Sequence, residues 1–340
     1  MHRSATRLAV VCFVMALVHA TTMAAPSGKP AYTDPAQTDT DFPFQGEYAG
    51  TLTINGQPMP FGVQVVALGN GDFNAVGYPG GLPGAGWTPP DKVVGQGARS
   101  GDATEVALHG VDWGGTTRRA AVRVIKGTPT VVVLDDAEGE IARLPKVSRT
   151  SPTLGQKPPP GAVVIFDGSN TDKLVGGRMT PDGLLMEGVT TKDTFGDALV
   201  HVEFRLPYQP EDRGQARGNS GAYVQGCYEV QMLDSFGLAS KADDCGSVYS
   251  VAPPLVNMCL PPLAWQTYDI DFTAPRFDGD RKIANARMTV RHNGVVIQDD
   301  VDVPVITPSG PQTEEKPTGP LFLQNHRNPV RYRNIWVLPK

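Results

Sequence analysis

Three segments of the sequence carry Glu, Gln, Arg and His at every second position, and these side chains could bind a sugar. Alternate residues of an extended chain point to the same side, so each segment would gather its polar groups on one face. An ordinary solvated sheet face would favour Lys, Thr and Ser, and a cross-strand ladder of ion pairs is the structural alternative to a sugar site. The polar positions of the three segments are His201, Glu203, Arg205, Glu229, Gln231, Gln324 and His326.

More polar groups lie close to these segments along the chain. The turn Arg-Gly-Asn-Ser-Gly at 217–221 is rich in hydrogen-bonding groups and separates the first two segments. Asp234 ends the second segment, and Arg333 belongs to a basic cluster after the third. Together these residues predict a polar concavity on a β-sheet.

The elements that must position these groups are strands. Gly (38 residues) and Pro (31 residues) make up about a fifth of the 340 residues, and neither is tolerated well inside helices. Short β-branched and aromatic runs alternate with turn residues, including hairpin signals at Asn55-Gly56 and Asn293-Gly294. The hydrophobic share of 40% suffices for packed cores. We therefore predict an all-β protein.

The N-terminus has the pattern of a secretory signal. Arg3 and Arg7 precede an apolar run of eleven residues, and small residues follow at 20 and 24. The run is too short to span a membrane, and no later segment is apolar enough to cross one. We predict a signal peptide at 1–25 and an exported protein, periplasmic or extracellular.

Net charge and motifs exclude other classes. The formal charge of −5 argues against nucleic-acid binding, which needs a basic face. No nucleotide-binding fingerprint is present in the sequence.

The cysteines that follow the predicted signal peptide are Cys227, Cys245 and Cys259. An oxidising compartment favours a disulfide, and Cys245 and Cys259 flank a Pro-rich loop whose closure would contribute about 3 kcal/mol. We therefore predict this disulfide and expect Cys227 to be a small buried residue. Three cysteines at these spacings do not make a zinc site.

Composition divides the rest of the chain. Residues 26–41 are predicted to be a flexible leader, and the Pro-rich residues 147–160 a semi-rigid linker. Residues 42–146 are predicted to form a small all-β barrel or sandwich of unknown role. Its Gly-rich loop ends in Trp87, which could stack on a ligand or cover a core edge. Residues 161–340 hold some ten strands, which predicts a two-sheet jelly roll.

Several long motifs of this last block resemble one known family. They occur in order along residues 161–340 and include VVIFDGSN, HVEFRLP, RGNSGAYVQGCYEVQMLDSFG, VRHNGVVIQDDV and GPLFLQNHRNPVRYRNIWVLP. The block looks like the 3-keto-disaccharide hydrolase domain family, whose fold is that of concanavalin-like lectins and glucanases. The resemblance implies a bacterial carbohydrate enzyme that cleaves glycosides already oxidised at C3, the oxidation being done by a separate oxidoreductase. It does not extend to residues 42–146.

That substrate defines the groups a site must contain. A ketone at C3 acidifies the hydrogen at C2, so a base removes it and the enolate expels the substituent at C1. The site needs a base near C2, an electrophile at the C3 oxygen and an acid at the leaving oxygen. Glu229 is the candidate base, and His326 is a candidate acid, or a ligand if a divalent metal polarises the ketone.

The other positions receive supporting roles under this interpretation. Glu203 and Asp234 are further carboxylates that could serve as acid, base or ligand, and Arg205 or Arg217 could hold the enolate oxygen. The remaining candidates for substrate binding are Asn219, Tyr223, Gln231, Gln324 and Arg333.

Two other functions fit part of the pattern. Laminarinase-like enzymes carry Glu-x-Asp-x-x-Glu on one strand, and Glu229-x-Gln231-x-x-Asp234 keeps that spacing while losing the middle Asp. Retaining hydrolysis needs two carboxyl groups about 5–5.5 Å apart. A non-catalytic, lectin-like module would use the same polar face, since fold does not fix function.

Overall fold

The computed structural model describes residues 23–24, 28–54, 56–111, 119–135 and 137–340, and these form a β-barrel followed by a β-sandwich. The all-β prediction is confirmed. The predicted signal peptide lies outside the described residues except for Met23–Ala24, which pairs with Pro30–Ala31. Asn55 of the first predicted hairpin turn also lies outside them.

The first unit is a closed barrel in which each strand pairs antiparallel with the next and the last pairs with the first. Inward positions alternate with outward ones and build an apolar interior that includes Tyr48, Val65, Val106 and Val122. The strands are β1 (Gly46–Ile54), β2 (Gln57–Gly69), β3 (Asp72–Pro79), β4 (Val93–Ala98), β5 (Glu105–Val111), β6 (Arg119–Ile125), β7 (Thr128–Leu134) and β8 (Glu140–Val147). A parallel pair of short strands, Leu82–Pro83 and Gly86–Trp87, lies in the loop after β3.

The second unit is a jelly roll. Its strands are β9 (Val163–Phe166), β10 (Leu174–Val175), β11 (Leu185–Met186), β12 (Val189–Thr191), β13 (Ala198–Arg205), β14 (Ser220–Val224), β15 (Tyr228–Met232), β16 (Trp265–Thr273), β17 (Arg276–Asp278), β18 (Arg281–Ala284), β19 (Ala286–His292), β20 (Val295–Val303), β21 (Phe322–Leu323) and β22 (Arg331–Pro339). Among the described residues, helices are limited to the 3-10 turns Pro35–Gln37, Phe42–Phe44 and Gly214–Ala216.

Two packed sheets enclose the jelly-roll core. The back sheet has the order β9-β22-β13-β16-β19-β20, and β11 also pairs with β22. The front sheet has the order β10-β12-β21-β14-β15. Apolar side chains from both sheets meet between them, such as Val202 and Ile270 from the back and Val230 and Leu323 from the front. The polar alternate positions therefore lie on the two outer faces.

The segment expected to be a mobile leader is instead bound to both units where it is described. Tyr32 exchanges two backbone hydrogen bonds of 2.9 Å with Tyr208 of the jelly roll. Asp41 forms an ion pair of 2.6 Å with Arg99 and accepts a hydrogen bond from the Gly71 amide of the barrel. Composition alone indicated a flexible segment, because it cannot show contacts with residues that are distant in sequence.

The Pro-rich linker lies against the outer face of the back sheet. Ser151 Oγ lies 2.6 Å from Thr267 Oγ1, and the Gly155 amide donates a hydrogen bond to Glu203 Oε1. The Gln156 carbonyl accepts from Asn334 at 3.0 Å. We refer to residues 149–156 as the strap, because they cover this face.

Cys227, Cys245 and Cys259 are buried and free, so the predicted disulfide between Cys245 and Cys259 is not present in the structure. The thiols of Cys245 and Cys259 each have polar partners. Cys245 Sγ lies 3.2 Å from the Tyr268 hydroxyl, and Cys259 Sγ donates to the Leu233 carbonyl at 3.5 Å. These contacts satisfy the sulfur atoms without a covalent link.

Over the described ranges, none of the helices has the length and apolar character needed to pass through a bilayer.

Candidate active site

A buried carboxylic acid is paired with a tyrosine on the outer face of the front sheet. Glu229 on β15 and Tyr223 on β14 are direct cross-strand partners, and the Tyr223 hydroxyl donates to Glu229 Oε2 at 2.8 Å. Glu229 is only 3% exposed. The neighbouring residues Val230 and Met232 point into the core, so strand alternation directs the Glu229 carboxyl group away from it.

Gln324 extends this pair into a chain of three side chains. Its Nε2 donates to the Tyr223 hydroxyl at 3.1 Å, and its backbone amide donates to the Gly221 carbonyl at 2.9 Å. Gln324 Oε1 is buried and has no hydrogen-bond partner among the described residues. Since buried polar atoms are normally paired, this oxygen is an unused hydrogen-bond acceptor.

Gly221 makes room for the carboxyl group. A Cβ atom at this position would lie 2.2 Å from Glu229 Oε1, far inside van der Waals contact. The backbone of Gly221 is in an ordinary strand, so the requirement for glycine comes from the neighbouring side chain and not from backbone strain.

The environment of Glu229 favours its protonated form. Burial raises the pKa of the Glu229 carboxyl group to about 8, although the hydrogen bond from Tyr223 acts in the opposite direction. Burial and the neighbouring Glu229 charge also raise the pKa of Tyr223 well above its ordinary range. A carboxyl group that titrates near neutral pH is suited to accept and return a proton.

Gln215 was not predicted, yet it connects two of the predicted sugar binders. Its Oε1 accepts hydrogen bonds from Asn219 Nδ2 at 2.9 Å and from Gln231 Nε2 at 3.0 Å. Its own Nε2 donates to the Asp243 carbonyl at 2.9 Å. Gln215 lies in a 3-10 turn outside the alternating strands, so no periodic signal could have identified it.

Tyr249 is a second residue that the sequence did not single out. Burial raises the pKa of its phenol, and the negative charges of Glu229 and Asp243 raise it further, which places Tyr249 within electrostatic reach of Glu229. The loop that carries it is held to β15 by a hydrogen bond of 3.1 Å from the Tyr249 amide to the Glu229 carbonyl.

Glu203, Arg205 and Arg333 are not part of this cluster, because they lie on the back sheet. Arg333 Nε is 2.7 Å from Glu203 Oε2, and the two arginine side chains lie over the ring of Trp265, at 4.1 Å for Arg333 and 5.1 Å for Arg205. The strap covers Glu203, which is fully buried. These three residues lie outside the front-sheet cluster.

Hydrogen bonding also explains the ionisation of Glu203. Burial alone would raise its pKa, but hydrogen bonds from His201, Asn334, the Gly155 amide and Arg333 together lower it to about 2. Glu203 is therefore a permanent carboxylate. His201 is stacked on Trp336 at 4.9 Å and lies 2.6 Å from Asp269 Oδ1.

Arg217 links the jelly roll to the barrel, and Asp234 of the jelly roll is its ion-pair partner. Their side chains form a buried ion pair of 2.6 Å, 5% and 1% exposed. The Arg217 guanidinium group also donates to the carbonyl groups of Ala67 in the barrel and Pro210. The pair is fully engaged, so the structure assigns neither Asp234 to catalysis nor Arg217 to an enolate.

His326 is exposed, and it has no hydrogen bond or ion pair among the described residues. His326 follows Gln324 by two residues, so it lies near the Gln324 end of the hydrogen-bonded chain formed by Gln324, Tyr223 and Glu229. In the described part of the chain, no three His, Cys, Asp or Glu side chains lie close enough together to hold a metal ion.

Trp87 lies in a cavity of about 310 Å³ between a barrel loop and the jelly roll. Its ring packs edge-on against Tyr78 at 5.1 Å, and its indole nitrogen donates to the Asp91 carbonyl. The opposite wall includes Leu255 and Asn257 of the jelly roll. The Trp87 ring packs against Tyr78, as expected for a covered core edge, and it also lines a cavity, as expected for a ring that could stack on a ligand.

Comparisons with known proteins give the jelly roll a family. Residues 161–338, about half of the chain, match the domain family described as the 3-keto-alpha-glucoside-1,2-lyase-like domain. None of the curated proteins matches the chain.

Similar solved structures come from Parabacteroides distasonis and are provisionally named glycosyl hydrolases. One is 31% identical, with a TM-score of 0.49 over 53% of this chain and 84% of the other. A second is 16% identical, with a TM-score of 0.39 over 53% of this chain and 94% of the other. A third is 19% identical, with a TM-score of 0.37 over 53% and 99%. On the match of its residues 161–338, the chain belongs to the 3-keto-alpha-glucoside-1,2-lyase-like domain family.

Proposed function

We propose that this protein is an exported enzyme that cleaves the glycosidic bond of 3-keto-glycosides by elimination followed by hydration. The observation that carries the proposal is the chain from Gln324 through Tyr223 to Glu229, in a domain of this family, with a carboxyl group whose pKa is about 8. Family membership supports a carbohydrate substrate, and the buried acid supports proton transfer at carbon.

The proposed reaction begins with Glu229 as a carboxylate. It takes the proton from C2, and the C–H electron pair forms the enolate of the C3 ketone. The enolate then expels the oxygen substituent at C1, which leaves with a proton, and a double bond forms between C1 and C2. Water adds across that double bond, with its hydroxyl at C1 and a proton at C2, to give the free 3-keto sugar.

The surrounding residues support this chemistry in distinct ways. Tyr223 orients Glu229 through the 2.8 Å hydrogen bond, and Gln324 orients Tyr223 in turn. Gln215 fixes the buried amide side chains of Gln231 and Asn219, which lie two residues along the same face. His326, exposed three residues after β21, is the proposed acid for the leaving oxygen or a metal ligand at the ketone.

The substrate also defines a partner by its chemistry. Glycosides are not normally ketones at C3, so an oxidoreductase must oxidise that carbon before this enzyme can act. The sequence offers no nucleotide-binding fingerprint for that step, and we propose that a separate protein performs it.

Product release from defined glycosides tests the function. The protein is incubated with a 3-keto-glucoside and with the ordinary β-glucoside, with and without chelator, and release of the aglycone is followed. We expect release from the 3-keto-glucoside alone, and loss of at least 100-fold in Glu229→Gln. Glu203→Gln, the same substitution on the back sheet, is the matched control and should keep its activity.

Two outcomes would contradict the proposal. Undiminished turnover by Glu229→Gln would remove Glu229 as the base. Release from neither glycoside, together with measurable sugar binding, would favour a lectin-like module that uses the same polar face.

A further inference from the structure

The barrel contains a cavity of its own, apart from the candidate active site. It has a volume of about 100 Å³ and lies at the end of the barrel where β1 and β7 end and β2 and β6 begin. Its wall includes Leu52, Phe61, Val63, Leu108, Val131 and Val133. Among the described residues that line it, the polar side chains are Thr53 and Arg119, both exposed at the mouth.

The cavity exists because one wall of the barrel lacks large side chains. Ala75 on β3, Gly95 on β4 and Gly110 on β5 are successive partners in the register of neighbouring strands. All three line the cavity. An eight-stranded barrel is just wide enough for side chains to fill it, so a row of small residues leaves space for one small ligand.

The opposite end of the barrel is closed by large apolar side chains. Tyr48, Phe73 and Phe44 pack there, with the Phe44 and Phe73 rings edge-on at 6.4 Å. Among the described residues, the cavity is therefore closed at the end where Ala67 contacts Arg217 of the jelly roll, and the exposed Thr53 and Arg119 mark its open end. Its wall is built from barrel residues.

The chemistry of the wall defines the ligand. Buried apolar walls offer no partner for a polar group, so a buried hydroxyl or charge would lose its hydrogen bonds with water. On several strands the lining residues are two positions apart, for example Val131 and Val133, which gives a depth of about 7 Å. Apolar cavities of roughly 150 Å³ stay dry and accept a benzene molecule. This cavity, at about 100 Å³, is smaller and is open at its mouth, so it fits a group no larger than a single ring.

We propose that the barrel binds one compact, neutral apolar group, the size of a single aromatic ring or a short alkyl chain, in this cavity. The polar remainder of such a ligand would lie at the mouth beside Arg119, whose exposed ion pair with Glu138 is 3.0 Å long. This binding function is separate from the front-sheet chemistry and does not depend on it.

Binding of two neutral probes to the full chain tests the proposal. Toluene represents the ring and 1-hexanol the chain, and binding is measured by titration calorimetry and by the increase in melting temperature that a bound ligand produces. We expect saturable binding of at least one probe to the wild type, with the preferred probe telling ring from chain. Ala75→Leu, which fills the cavity, should weaken binding at least tenfold.

A matched variant separates cavity filling from a general effect on the barrel. Ala107→Leu makes the same substitution at an exposed, outward position of β5 and should bind as the wild type does. If Ala75→Leu fails to fold by circular dichroism, Ala120→Leu fills the same cavity from β6. The proposal is overturned if neither probe shows saturable binding, or if a folded cavity-filling variant binds within twofold of the wild type.

Discussion

Burial of Glu229 determines how strongly its carboxyl group holds a proton. With a pKa of about 8, the group is mostly protonated at neutral pH and becomes the active base as the pH rises. We therefore expect kcat/KM on a 3-keto-glucoside to increase about tenfold per pH unit up to about pH 8 and then level off. A profile that is flat between pH 6 and 9 would contradict this role, and Glu203→Gln should keep the wild-type profile.

The same raised pKa links Glu229 to stability. The folded state holds this proton more tightly than the unfolded state, whose glutamate titrates near 4.5, so the contribution is present below pH 4.5 and is lost as the pH rises through 8. Gln cannot ionise. The unfolding free energy of Glu229→Gln relative to the wild type should thus increase by at least about 1 kcal/mol between pH 5 and pH 9. Denaturant titrations at the two pH values measure this difference, and an unchanged difference would contradict the burial argument.

Gly221 is expected to be essential for the position of that carboxyl group. Because a Cβ atom would overlap Glu229 Oε1, Gly221→Ala should displace the acid from Tyr223 and lower kcat about 100-fold while the protein stays folded. Gly196→Ala is the control, since a Cβ atom there would meet its nearest neighbour at an ordinary 3.4 Å. Equal activity of both variants would show that Glu229 tolerates the shift.

At the scale of elements, strand alternation predicted which residues share a face but not which face is open. His201, Glu203 and Arg205 do lie opposite the apolar side of β13, as expected. Whether that face meets solvent depends on the strap, which is distant in sequence and has no periodicity. Local patterns cannot report such contacts, so the predicted site combined residues from two sheets.

Glycine content hid another element. β4 (Val93–Ala98) was not predicted, because Gly95 and Gly97 weaken a strand signal. Its strand conformation comes from pairing with β3 on one side and β5 on the other. Gly95 also lines the barrel cavity, so the lack of a side chain there contributes both to the weak strand signal and to the empty space.

The strap should make the protein sensitive to acid. The carboxylate of Glu203, with a pKa of about 2, stabilises the fold above pH 4.5, and this contribution is lost as the pH falls towards 2. Glu203→Gln should lower the free energy of unfolding by about 1–3 kcal/mol at pH 7, because Arg333 loses its partner, and by less at pH 3. Denaturant unfolding at both pH values measures the difference. An equal loss at pH 7 and pH 3 would show that ionisation of Glu203 is not the cause.

At the scale of the whole molecule, the two units share their interiors. Val66 of the barrel packs into the jelly-roll core, while Tyr208 and Leu263 of the jelly roll pack into the barrel core. The sequence separated two blocks at a Pro-rich stretch and gave no sign of this shared packing. Arg217 and Asp234 looked like site residues because a buried interface uses the same charged groups as an active site.

The buried pair of Arg217 and Asp234 should therefore determine how firmly the units are joined. Asp234→Ala leaves the Arg217 charge buried without its counter-ion beside the Ala67 carbonyl, and removal of one partner of such a pair costs about 3–5 kcal/mol. Asp278→Ala removes an ion pair whose partners are 77% and 72% exposed, and it should cost less than about 1 kcal/mol. Calorimetric unfolding at pH 7 compares the two variants, and we expect only Asp234→Ala to separate the melting of barrel and jelly roll. If the two variants lose equal stability, the units are joined by their apolar contacts and the ion pair is incidental to the interface.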